Sequence, residues 1–74
     1  MDEVRENRFG YLRALTDEDK LNMISELEDD IKSLQEIIEN PNISSEQRSE
    51  AYSDITYDQE RIDYLKSILN EQKL

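Results

Sequence analysis

Carboxylates are the one kind of reactive side chain this sequence carries in number. Asp and Glu supply 19 of its 74 residues against 9 Lys and Arg, and there is no histidine and no cysteine. The most continuous group is Glu46, Glu50, Asp54 and Asp58, placed four residues apart with no base in the row. On a helix, like charges at that spacing repel by about 0.2–0.5 kcal/mol per pair. Such a row reads in two ways. It is a solvated face that keeps a small helical protein in solution, or it is a docking face for a basic surface, where complementary charge speeds encounter and rejects wrong partners. The second reading takes Glu46, Glu50, Asp54 and Asp58, with Tyr57, Arg61 and Tyr64 of the same stretch, as the partner-binding set.

Other arrangements of acids were weighed for catalysis or metal binding. Asp17, Asp19 and Glu28 fit the first, third and twelfth places of a calcium loop, but Leu21 takes the fifth place and Asn22 stands where the loop needs its turning glycine. Glu36-x-x-Glu39 followed by Glu60-x-x-Asp63 resembles the carboxylate pattern of the all-α nucleoside triphosphate pyrophosphohydrolases. That resemblance implies magnesium held between helices, yet the extra leading Glu and the phosphate-binding bases of that family are missing. Serines are present, but the usual imidazole base that would activate one is absent. The expectation is a non-enzymatic protein with no catalytic residues, no metal and no cofactor.

Charge narrows the partner. A formal net charge of −10 sets the chain against phosphate, which excludes direct nucleic-acid binding and an anionic membrane surface as first choices. A protein with a basic surface fits better. Small phage-encoded inhibitors of host defence resemble this chain in size and charge, and their strongest form is a DNA mimic whose carboxylates stand in for phosphates. No stretch nears the roughly 20 apolar residues of a membrane span, and Met1-Asp2-Glu3-Val4 lacks a signal peptide's basic start. A cytoplasmic location is the default.

These side chains must be held by helices. The single glycine, Gly10, and the single proline, Pro41, divide one domain into a head, residues 1–15, and an acidic hairpin, residues 16–74. The head's Asp2, Glu3 and Glu6 balance Arg5, Arg8 and Arg13, so the net charge lies in the arms, where six bases face sixteen acids. Thr16, followed by Asp17, Glu18 and Asp19, predicts an N-cap and a helix over 17–39. Its seam is Ile24, Leu27, Ile31, Leu34 and Ile38, flanked by Leu21, Met23 and Ile37. Asn40-Pro41-Asn42 ends it, because the residue before a proline is pushed out of helical geometry.

Ser44 with Gln47 has the spacing of a capping box, with Ile43 at the staple position, and predicts a second helix over 45–71. Its seam is Ala51, Ile55, Asp58, Ile62, Leu65 and Leu69, widened by Tyr52, Tyr57, Tyr64 and Ile68. The fold class is therefore all-α, an antiparallel two-helix hairpin with a short helical head. Val4, Phe9, Leu12 and Leu15 give that head an apolar side, interrupted at Gly10. Two helices alone leave each seam half covered, so the expectation is three-helix packing with the head folded back, or self-association as a dimeric four-helix bundle. Asp58 interrupts the seam, and the expectation is that it stays exposed where the helices diverge, with Arg61, Lys32 or another subunit as its partner if it is buried. Lys32 is placed to relieve Glu28 and Glu36.

Overall fold

The structure, a computed structural model, describes residues 7–71. A helical turn at residues 7–9 tightens into a 3-10 helix over Gly10–Ala14, which is followed by α1 (Asp17–Glu39) and α2 (Ser45–Glu71). There is no strand among the described residues. The change of helix type falls at Gly10, the position at which the sequence places the interruption. Val4 and the charged residues before Glu6 lie outside the described residues, as does Glu6 itself.

Both long helices begin where local chemistry tells them to. The Thr16 hydroxyl accepts from the Asp19 amide at 3.1 Å, and three acids occupy the first turn of α1 against the positive end of its dipole. At α2 the capping box closes reciprocally. The Ser44 amide donates to Gln47 Oε1 and the Gln47 amide to Ser44 Oγ, each at 3.1 Å. Between them Asn40 is extended, with ψ at 120°, as a residue before proline must be, and its Oδ1 accepts from the Asn42 amide at 2.9 Å. The short turn forces α2 to run back antiparallel along α1.

The head then settles the packing. Phe9 and Leu12 are 1% and 0% exposed, and with Ile24, Leu27, Ile62, Tyr64, Leu65 and Ile68 they form one core. Three-helix packing is thus what the chain adopts, with the head lying on the hairpin. All of this core belongs to the open end, away from the turn. Towards the turn, Leu34, Ile38, Ile43 and Ile55 are only half-buried and Ile37 is 44% exposed. The molecule is a rod of 47 × 25 × 17 Å, three layers thick at one end and two at the other. No helix of the described residues is long and apolar enough to cross a membrane.

The uneven core gives an uneven cost of truncation. Leu12→Ala should destabilise the protein by about 2–5 kcal/mol, as for a fully buried leucine. Ile38→Ala, at the thin end, should cost less than half as much. Urea unfolding followed by circular dichroism checks both, and equal losses would contradict a core confined to the open end.

Candidate protein-binding surface

The head is held by rings and charges together. Phe9 sits between two tyrosines of α2, with ring centroids 5.9 Å from Tyr57 and 5.8 Å from Tyr64. The guanidinium of Arg8 lies 5.0 Å from the Phe9 ring and 5.7 Å from that of Tyr57, and its Nη1 donates to Glu60 Oε2 at 3.0 Å. Arg13 lies 5.7 Å from the Tyr64 ring, and its Nη1 donates to Glu71 Oε2 at 3.0 Å. Each ion pair is exposed and contributes at most about 1 kcal/mol. Their larger effect is on the surface. Arg8 and Arg13 are turned to acids of the open half, leaving the acids near the turn without them.

The acidic row of α2 does not stay on one face. A step of four residues advances about 40° around a helix, so the row winds from the outside towards the seam. Glu46, Glu50 and Asp54 are exposed, and none of the three forms an ion pair among the described residues. Asp58 is 4% exposed, which corrects the expectation that it stays in solvent. It sits in the seam between Ile55 and Ile62, and the intra-helical partner Arg61 donates from Nη2 to its Oδ1 at 2.7 Å. Burial works against the charge on Arg61, but the hydrogen bond and charge of Asp58 outweigh it and hold the guanidinium above its ordinary range. Arg61 also lies 4.7 Å from the Tyr57 ring.

The remaining partner-binding candidates separate by depth. Tyr57 is 41% exposed and stays within reach of a partner, whereas Tyr64 is 3% exposed and belongs to the core. Arg61 is half-buried. The set read from the sequence thus resolves into an exposed group, Glu46, Glu50, Asp54 and Tyr57, and a group drawn into the packing, Asp58, Arg61 and Tyr64.

Two features escaped the sequence reading. One is Asp30 of α1, which meets Asp58 across the hairpin. A hydrogen bond to Asp58, then some loss of solvent and the charges of Asp58 and Asp54, raise the Asp30 carboxyl above its usual range, with Arg61 opposing. Asp58 Oδ2 is buried and, with Asp30 ionised, no donor reaches it, which favours sharing a proton between the two carboxyls. The other is Lys20, 3% exposed despite its charge, with Nζ 3.6 Å from Asp17. Its spacing puts it on the seam, four residues before Ile24 and seven before Leu27, but its charge makes it read as solvated.

The other acids are placed differently from expectation. Glu28 pairs with Lys66 across the hairpin at 3.9 Å, so Lys32 is not its ion-pair partner. Glu60 is tied to Arg8, and Asp63 accepts from Gln59 at 3.0 Å. Among the described residues no three or more acids gather as a metal site, so the magnesium frame suggested by Glu36, Glu39, Glu60 and Asp63 is not assembled.

Two surface depressions accompany the row. A shallow one of about 700 Å³ runs along the outer side of α2 by Arg48, Tyr52, Thr56 and Tyr57. A smaller groove, about 250 Å³, opens between the helices beside the turn and includes Leu34, Ile37, Ala51, Glu50 and Asp54. Comparison with protein-family models, with characterised proteins and with solved structures finds no match. The functional reading therefore rests on this surface alone.

The carboxyl pair has a pH signature. A group with a raised folded pKa adds stability that is present below its unfolded pKa and is lost as pH rises through the folded value. For Asp30 the loss therefore falls on the alkaline side of the usual carboxylate range. Asp30→Asn keeps a donor at every pH, so its melting temperature should exceed the wild-type value at pH 7, with the gap closing as acid protonates Asp30. A gap that is constant from pH 4 to pH 7 would show that the two carboxyls are not coupled.

Proposed function

We propose that this protein is a non-enzymatic binding module whose α2 surface near the turn engages a basic surface of another protein. The observation that supports it most is that Glu46, Glu50 and Asp54 stand exposed in a row with no ion pair, while Arg8 and Arg13 are bound to acids at the far end. A chain that ties Arg8 and Arg13 to acids at one end and leaves three acids in a row without an ion pair among the described residues at the other is suited to meet cations there. Tyr57, amphipathic and partly exposed, supplies the kind of side chain that anchors protein interfaces.

The chemistry of the partner follows from the charge. Lys and Arg in a concave or flat patch are complementary to the row, and electrostatic steering raises the rate of encounter in a way that salt suppresses. An inhibitor fits this description. By covering the cationic cleft of a nucleic-acid-binding protein, the row would compete with phosphates for the same side chains.

Charge reversal tests the proposal. Proteins from the native host should be retained by the immobilised wild-type chain at low salt, released as salt rises, and lost when Glu50→Lys and Asp54→Lys are combined. Circular dichroism should show unchanged helicity in the double variant, since both positions are exposed. Retention of the same set of proteins by the two forms would refute the charge-based reading.

A further inference from the structure

The groove beside the turn, we infer, is the seat of an amphipathic helix from the partner, which inserts apolar side chains between α1 and α2 and sets lysines or arginines against Glu50 and Asp54. This rests on the proposed protein-binding function and states what the partner brings besides charge.

Two heptad rows run along α2. Glu50, Tyr57 and Tyr64 form one, and Asp54, Arg61 and Ile68 the other, so each row stays on nearly one side of the helix. At the open end that side is covered by the head, with Phe9 packed on Tyr57 and Tyr64. Exposure then rises along the rows, from Tyr64 at 3% through Tyr57 at 41% to an exposed Glu50. On α1 the change is parallel. Ile24 and Leu27 are buried, Leu34 and Ile38 are half-buried, and Ile37 is exposed. The side of the hairpin that receives the head thus grows more exposed towards the turn, where the smaller groove lies.

Its floor and rim differ in character. Leu34, Ile37, Ile43 and Ala51 make an apolar floor, and Glu50 and Asp54 stand at its edge. A volume of about 250 Å³ is below the roughly 300–1,000 Å³ of small-molecule sites, and it suits a few side chains of a docking helix better. From Gln47 to Asp54 the groove runs about 10 Å, room for about two helical turns. The helix that fits has apolar residues at i, i+3 or i+4 and i+7, flanked by bases.

Charge complementarity selects this occupant over a second copy. A two-fold dimer uses the same patch on both chains, so it would bring Glu50 and Asp54 of one copy to the acidic rim of the other. Neither residue forms an ion pair among the described residues. A basic amphipathic helix removes both problems at once, burying the floor and pairing the rim.

The test uses two synthetic helical peptides of about three turns. Both carry the same flanking lysines; one has leucines at the i, i+3 and i+7 positions and the other has serines there. Binding to the full chain is read by fluorescence anisotropy, with sedimentation for its oligomeric state. The leucine peptide should bind and the serine peptide should not. Ile37→Glu, a substitution at an exposed helical position, should weaken the leucine peptide about tenfold, as loss of an interface anchor does. Equal binding of the two peptides, sensitive only to Glu50→Lys and Asp54→Lys, would overturn the groove while leaving the charge-based function standing. Failure of the leucine peptide to bind would overturn it as well. So would a wild-type dimer that Ile37→Glu converts to a monomer, because the occupant would then be a second copy.

Discussion

The docking of Phe9 and Leu12 onto one end of the hairpin is the contact on which the rest depends. Two helices joined by a short turn bury only the strip where they touch, and a strip of that width is marginal for a chain of this size. The head adds a third layer over Tyr64, Leu65 and Ile68 and turns the open end into a closed core. Each fully buried apolar side chain of this size contributes about 1.5–3 kcal/mol. That is a large part of what a small domain has in total. The same contact explains the surface electrostatics, since it is what brings Arg8 to Glu60 and Arg13 to Glu71.

Much of the fold was legible because it is local. Thr16 with three acids after it, Asn40 before Pro41, and Ser44 with Gln47 are decisions made within four residues of one another. Each of them appears in the structure as a hydrogen bond or a backbone angle at the expected place. The helix limits 17–39 and 45–71 follow directly. The apolar seams were equally readable, because periodicity needs no knowledge of what lies opposite.

The site was legible only in part, and the failures share a cause. Asp58 looked like a solvated interruption, yet its depth is set by the helix opposite and by an ion pair that lets the carboxylate stay in the seam. Tyr64 is buried for a similar reason, with Phe9 of the head packed on it. Asp30 carries no sequence sign at all of its link to Asp58, since they are joined only by the register of two antiparallel helices. Spacing along one helix tells which residues share a side. It does not tell which side a third element will cover, and that choice separates the exposed acids from the buried ones.

The turn between Asn40 and Ser44 has a further consequence, and it concerns time. Loop-closure entropy grows with the length of chain between two contacting groups, so contacts beside the turn are the easiest for the unfolded chain to form. The contacts that stabilise most, Phe9 on Tyr57 and Tyr64, join residues some fifty positions apart and must wait until both helices are in place. Loop closure therefore favours zipping of the hairpin from its weaker end towards its stronger one. The half that assembles first is the half left loosest in the finished molecule, and the last segment to arrive is the one that locks it.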